Sequence, residues 1–514
     1  LQKLYKLSQP SNSKNYIPFD GLTTSGSISR GVTIGNNQNS VLNSELDLQI
    51  TGKLNDKVSL RASIQDANIP LQESGYSQRL DEFDQVFIEL FSNNWNVRAG
   101  DIDLQNNNSY FAQFSKRVQG LFVNVNLGEE KKQTNLFAAG ALVRGQFNTS
   151  QFTAQEGNQG PYKLTGPNGE LFVLVVSGSE TVYVNGIPLQ RGENEDYVID
   201  YNAGEIRFNA TYPITSEMRI NVEYQFSERR YTRVLAYAGG SFRESNNLKI
   251  AAHVYSESDI KNQPLQQNLT AEQVAILEAA GDNTAEMVAP SAVPDTFDTN
   301  KILYRQIIVN GVEVFEFSTD PDESLFQVRF TNVGVNQGDY VLNTTNTLQR
   351  TFEYVAPVNG VPQGSFAPEV QLFSPTLLQL GVVNGSYTPS EKTSINFEAA
   401  GSKNDTNTFS TQDDDDNNGY ALHLDVNQHL IKKDSTKLLK AFVNWDYIQE
   451  DFVNVEGLYN VEFNRDWNLE NSLANANGLL LGTQNYSTIG LDYTDVQNGA
   501  LTYTFQNLHF DGYY

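Results

Sequence analysis

Leu121-Phe-Val-Asn-Val-Asn-Leu127 sets Leu121, Val123, Val125 and Leu127 on one side of an extended chain and Phe122, Asn124 and Asn126 on the other. Successive side chains of a strand point to opposite faces, so this period of two is a strand with one apolar and one polar face. Upstream the alternation runs through Leu46, Leu48 and Ile50, then Val58, Leu60, Ala62 and Ile64, then Val86, Ile88 and Leu90. Downstream it returns in Ile395–Ala399, Leu422–Val426, Ile489–Tyr493 and Leu501–Phe505. Tyr459, Val461 and Phe463 carry it too and are expected to form a further strand.

Two architectures give this pattern. A soluble β-sandwich hides the apolar face against a second sheet. An outer-membrane barrel turns that face to lipid and keeps a polar lumen. The polar phase is strongly polar over many strands, and turns alternate between short (52–57) and long (66–84), as periplasmic turns and outer loops do. The expected fold is therefore all-β: an antiparallel transmembrane outer-membrane β-barrel, whole or partial. The expected lumen face includes Gln49, Arg61, Gln65, Asn124 and Asn126.

Composition narrows the rest. The 514 residues carry 35 Lys and Arg against 61 Asp and Glu, a net charge of −26. That excludes a nucleic-acid partner, which needs cations to replace phosphate counterions. The absence of Cys excludes disulfides, thiolate zinc sites and cysteine nucleophiles. An aromatic content of 11% is unlike a disordered chain. The longest apolar block, Leu171–Val176, falls far short of the ~18–20 residues of a spanning helix. The chain opens at Leu1 without a signal sequence, as expected if a leader has been removed or if this is a piece of something longer.

Two stretches interrupt the alternation. One spans about 160–226 and contains Val184-Asn-Gly186 and Asp196-Tyr-Val198; the other spans 263–375 and contains Val309-Asn-Gly311 and Asp339-Tyr-Val341. Asn-Gly pairs are hairpin turns, and the shared order reads as an internal repeat. The second stretch opens with a short helix over 269–281, capped by Thr270 and stopped by Gly281. The expected layout is barrel strands in 1–159, a β module in 160–226, strands in 227–262, a second insertion in 263–375 and strands in 376–514. The two modules are expected to share one fold.

Several phrases together resemble one family. They are Ser29-Arg-Gly-Val-Thr-Ile-Gly-Asn36, Ser63-Ile-Gln-Asp-Ala-Asn-Ile-Pro-Leu-Gln72, Leu80-Asp-Glu-Phe-Asp-Gln-Val-Phe-Ile88, Tyr110-Phe-Ala-Gln-Phe114, Lys116-Arg-Val-Gln-Gly120 and Asp196-Tyr-Val-Ile-Asp-Tyr-Asn-Ala-Gly-Glu-Ile206. The resemblance is to the SprA-type translocon of the type 9 secretion system and related large outer-membrane proteins of Bacteroidota. It implies residence in the cell outer membrane, contact with its lipid and with other outer-membrane or periplasmic proteins, and secreted proteins as cargo. Translocons of this type are several times longer, so it implies a fragment or a smaller relative.

Catalytic motifs are missing. There is no Gly-x-Ser-x-Gly, no Gly-x-Gly phosphate turn and no His-Glu-x-x-His among the four histidines, so no enzyme activity is expected. His423, in the polar phase of a strand, is expected to be hydrogen-bonded or solvated. Asp414, Asp416, Asn418, Gly419 and Asp425 stand at positions 1, 3, 5, 6 and 12 of a calcium-loop frame, with Asp414, Asp416, Asn418 and Asp425 as candidate ligands. The ordinary alternative is a solvated acidic hairpin tip. Arg229, Arg230 and Arg233 are expected to form junction salt bridges. The functional expectation is transport or translocation at the cell surface, most specifically of the type 9 kind. The alternative is a surface structural or adhesion protein of soluble β modules without a pore.

Overall fold

The computed structural model describes residues 21–511 apart from 36–37, 69, 74–75, 80–84, 130–131, 168–169, 171–172, 228–229, 246, 344–349, 434–435 and 470–481. Fifteen strands form one antiparallel sheet whose order follows the chain. They are β1 (Leu22–Gly35), β2 (Gln38–Lys53), β3 (Ser59–Asn68), β4 (Gln85–Phe91), β5 (Trp95–Asn106), β6 (Phe114–Glu129), β7 (Lys132–Val143) and β8 (Tyr231–Glu244). Then come β9 (Leu248–Pro264), β10 (Leu377–Ser390), β11 (Thr393–Asp405), β12 (Asn418–Lys433), β13 (Lys437–Ile448), β14 (Gln484–Asp495) and β15 (Gly499–Phe510). A single sheet of this size replaces the stacked sandwich. Among the described residues β1 and β15 pair with one neighbour each, so the sheet is not closed, and an odd meander leaves these edges running in the same direction.

Register fixes which side chains share a face. Asn96 lies opposite Asn124, Asn124 opposite Phe137, and Phe137 opposite Gly239. Further round, His253, Val382, Ala400 and Ala421 are successive partners, as are Asp425 and Asn444. Gln49, Arg61, Gln65, Asn124 and Asn126 fall on this polar face, as expected. The other face carries exposed Leu121, Leu127, Leu136, Val254, Val383, Ile489, Leu491 and Phe505. Its large aromatics gather toward the strand ends: Tyr420, Trp445 and Tyr447 toward one, and Trp95, Tyr387, Tyr493 and Tyr503 toward the other. Aromatic girdles at both rims of an apolar band are the mark of a barrel surface facing lipid.

The two ends of the sheet differ. The turns at 54–58, 92–94, 245–247, 391–392 and 496–498 lie at one end. The connections over 107–113, 144–230, 265–376, 406–417 and 449–483 all lie at the other. This is the asymmetry of outer-membrane barrels, with short turns inside and long loops outside.

The sheet is rolled with its polar face inward. The hydroxyl of Tyr110, in the loop joining β5 to β6, donates to Asp446 Oδ2 on β13 at 2.7 Å. Seven strand steps separate β6 from β13, about 34 Å if the sheet were flat at ~4.8 Å per step. Tyr110 can reach only about 14 Å from Phe114 at ~3.4 Å per residue. Only strong curvature brings the two together.

The first insertion begins at Gln146, not at 160, because strand Gln146–Thr153 pairs along its length with Arg219–Phe226. Val182, Val184, Tyr197, Ile206, Val222 and Tyr224 fill its core. Both Val-Asn-Gly sequences make hairpins with the Asn and Gly at positive φ (Asn185 52°, Gly186 78°; Asn310 52°, Gly311 85°). The repeat stops short of a common fold. The Asp-Tyr-Val hairpin takes its third strand on its second strand in the first module (Tyr162–Lys163) and on its first strand in the second (Phe366–Ala367). The expected helix is α1 (Ala271–Ala279), with a capping box between Thr270 and Gln273. Tyr459, Val461 and Phe463 do not form a strand. Phe463 starts a short helix, Phe463–Asp466, and the Tyr459 and Phe463 rings stack 4.0 Å apart.

Two adjacent residues test the lipid face. Ile489→Arg is expected to lower the folded stability by ~2–4 kcal/mol if it sits near the midplane, and Thr488→Arg, one residue away on the polar face, to leave it nearly unchanged. Unfolding of the purified protein in micelles, followed by heat-modifiable gel mobility, measures both.

Candidate functional site

Inside the roll, the loop 107–113 is held against the far wall. Glu398, on the polar face of β11, accepts from Ser109 Oγ (2.7 Å), from the Tyr110 N–H (2.9 Å) and from the Phe111 N–H (2.8 Å). Asn384 on β10 donates to the same carboxylate (3.2 Å) and to the Asn108 carbonyl (3.0 Å). A carboxylate taking two backbone N–H groups and a hydroxyl makes charge-assisted bonds, the strong kind. The Tyr110 ring stacks on His423 at 4.0 Å and 16°, while His423 Nδ1 and the Tyr110 hydroxyl share the fully buried Asp446. His423 is thus a hydrogen-bonded wall residue. Around the loop, Phe111, Phe114, Val118, Leu235, Tyr255, Leu380 and Val455 close into an apolar cluster. The loop folds against the polar face, and its seat is built by β10–β13.

A second contact crosses the same way. Glu456, in the connection between β13 and β14, accepts from the Ser115 N–H of β6 and from Gln225 Nε2 of the first module. Burial pushes its carboxyl up to about 7, and the nearby Glu223 adds to the rise while the Ser115 bond and Lys116 oppose it. In the same connection Glu462 accepts from Arg219 Nε (2.8 Å) and Asn221 Nδ2 (3.2 Å). These bonds tie the first module to the rim. Below it, Lys116 pairs with Glu257 at 2.5 Å, and Arg233 grips Asp259 with two nitrogens. Arg230 pairs with Glu170 at 2.8 Å and lies 3.7 Å over Phe373. The basic cluster is a set of junction ion pairs, as expected; Arg229 lies outside the described residues.

The calcium frame does not assemble. Asp413 to Asp416 form an exposed tip in which Asn417 Nδ2 donates to Asp414 Oδ1. Asn418 opens β12, and Asp425 sits seven residues further on, about 23 Å at ~3.3 Å per residue. Asp425 Oδ1 is already taken by Asn396 and Asn427 on the lumen wall. Among the described residues no group of three or more acidic or histidine side chains is placed to hold a metal ion. The strand pairing of β12 commits Asp425 to the lumen, so Asp414, Asp416 and Asn418 never meet it. The connection 406–417 instead caps the C-terminus of α1. Asn407 donates to the Leu277 and Gly281 carbonyls, and Ser410 donates to that of Glu278.

Sequence reasoning placed Glu398 and His423 on the polar face but missed Ser109, Tyr110, Asp446, Glu456 and Glu462. The only available signal was the break in alternation over 107–113.

The outward apolar belt, its aromatic rims, the polar inner face and the one-sided long loops make this an outer-membrane β-barrel architecture, resident in the cell outer membrane. A family model described as a domain of unknown function (DUF8818) matches residues 147–228, the first module. No curated protein matches the chain. Among solved structures, the chain is similar to OmpT, an outer membrane protein of Vibrio cholerae, at 9% identity over 96% of this chain and 90% of that one, with a TM-score of 0.26. It is also similar to the outer membrane channel DcaP of Acinetobacter baumannii, at 12% identity over 83% and 91%, with a TM-score of 0.21. Identities and scores this low transfer no residue, ligand or activity to this chain.

Two outcomes check the site. Glu398→Ala removes the acceptor of two buried N–H groups, so amide exchange at Tyr110 and Phe111 should accelerate while exchange within β14 stays unchanged. For Glu456, a carboxyl raised in the folded state binds its proton more tightly there. Its contribution is therefore fully present below the ordinary carboxylate range and is lost as pH rises through about 7. Proteolysis of the connection 449–469 should be slower at pH 5 than at pH 8, and Glu456→Gln should flatten that difference.

Proposed function

We propose that this chain forms a gated outer-membrane barrel for transport or translocation at the bacterial cell surface, closed at rest by the plug 107–113. The observation that carries this reading is the seat itself. A loop from one wall is bound by Glu398, Asn384 and Asp446 on the opposite wall, through side chains that a permanently filled core would not need. Buried polar groups bonded across a lumen can be exchanged for water or for a ligand with the same donors, whereas an apolar filling cannot.

The phrases that resemble type 9 translocon barrels support secreted proteins as the cargo, and other outer-membrane or periplasmic proteins as partners. Both modules stand on the long-loop side, where a surface partner or an emerging polypeptide would meet them.

Planar-bilayer recording tests the gate. The wild-type protein should conduct rarely and in brief steps. The double variant Glu398→Ala/Asp446→Ala should hold long open steps, because Ser109, Tyr110 and Phe111 lose both carboxylates that hold them to the wall. Equal conductance of the two would count against the plug as a gate, and silence of both would count against a passage altogether.

A further inference from the structure

Beneath loop 107–113 the polar wall lines an open cavity of about 440 Å³, within the size range of small-ligand sites. Its chemistry is uneven. Asn96 on β5, Asn124 on β6, Asn135 on β7 and Asn384 on β10 bring four side-chain amides to it from four strands. The first three hold one another in orientation: Asn124 Nδ2 donates to Asn96 Oδ1 at 3.1 Å, and Asn135 Nδ2 donates to Asn124 Oδ1 at 2.6 Å. An amide carries two N–H donors and an acceptor oxygen, and these bonds use part of that capacity: both Asn384 and Asn135 donate twice within the wall and present their oxygens, while Asn124 keeps an N–H beyond its bond to Asn96. Beside them Phe122, Phe137 and Tyr237 make an aromatic wall, with the Phe137 and Tyr237 rings 4.8 Å apart.

Four charged side chains line the cavity: Glu89, Arg98, Asp103 and Lys249. Glu89 pairs with Arg61 at 2.5 Å and accepts from Asn96 Nδ2 at 3.4 Å, Asp103 pairs with Arg117 at 3.0 Å, and Arg98 donates to the Asp101 carbonyl while lying 3.9 Å over Phe87. Lys249 is exposed near the short-turn end. Between these charges, two of each sign, the cavity presents fixed amides on one side and ring faces on the other.

We infer that this cavity is a binding site for a neutral saccharide. A sugar hydroxyl both donates and accepts, so neighbouring hydroxyls on a ring match an ordered row of amides. The C–H face of a pyranose is apolar and fits against aromatic rings. A charged solute would lose hydration here, and Glu89, Asp103 and Arg98 already have partners, which leaves it only the exposed Lys249 at the short-turn end. A purely apolar one would strip water from the amide groups that are not bonded within the row. The site lies in the lumen, so this inference rests on the gated-barrel reading for its access route, and it adds the class of solute.

Calorimetric titration tests it, using the whole chain in an amine-oxide detergent, which carries no sugar. The ligands are maltose, cellobiose and N,N′-diacetylchitobiose, with N-acetylated, C-amidated triglycine as a neutral hydrogen-bonding control. At least one disaccharide should give saturable heat. Asn124→Leu, which breaks the amide row, should weaken that binding about tenfold or more. Ala251→Phe, which fills the cavity from β9, should abolish it while heat-modifiable mobility stays wild-type. Thr488→Arg, on the polar face of β14, should leave it unchanged. Three results would overturn the inference: no saturable heat with any disaccharide, binding that survives Ala251→Phe, or triglycine binding as tightly as the sugars. Bilayer recording separates the two readings. A barrel that never conducts yet binds sugar loses the transport role and keeps this site; one that conducts and binds none keeps the gate and loses the site.

Discussion

One carboxylate organises the interior. Glu398 takes two backbone N–H groups and a hydroxyl from a loop whose nearer strand, β6, is five strands away. Those donors would otherwise be buried without partners, and each such loss costs on the order of 1–3 kcal/mol. The bonds can form only if the sheet rolls, so the latch and the curvature imply each other. The apolar cluster of Phe111, Phe114, Leu235 and Tyr255 then closes behind the loop. Remove the latch and the cluster loses the segment that completes it.

Rolling also sorts the two faces by solvent. Leu, Ile, Val and aromatic rows face outward, where lipid accepts them, and amides and carboxylates face inward, where they bond to one another. The backbone between them is paired strand to strand, the only arrangement besides a helix that satisfies backbone polar groups in a bilayer. Among the described residues the long irregular connections lie at one rim, and there they are tied down by long-range polar contacts. Glu456 and Glu462 bind the first module, and Asn407 and Ser410 cap α1 of the second insertion.

The faces were legible because a period of two needs no tertiary knowledge: Leu121–Leu127 says which side is which. So were the Thr270 capping box and the Asn-Gly hairpins, whose chemistry is local. Three things were not. The alternation of Tyr459, Val461 and Phe463 comes from ring stacking in an irregular connection, which spacing alone does not distinguish from a strand. The Asp414–Asp425 spacing matched a metal loop, but a strand stretches the last seven residues beyond the reach of a single ion. The plug and its seat pair residues almost 290 positions apart (Ser109 to Glu398), and nothing in either segment names the other.

The whole arrangement depends on loop 107–113 crossing the inner face to β10–β11. The protein has no native cysteine, so an introduced pair reports without interference. Asn108 and Asn384 touch through a 3.0 Å hydrogen bond, yet in a flat sheet β6 and β10 lie about 19 Å apart at ~4.8 Å per strand. Oxidation of the Asn108→Cys/Asn384→Cys protein in its membrane should form one intramolecular disulfide, visible as faster migration that reverts on reduction. Two thiols that stay free under oxidant, in protein that is otherwise folded, would contradict the account.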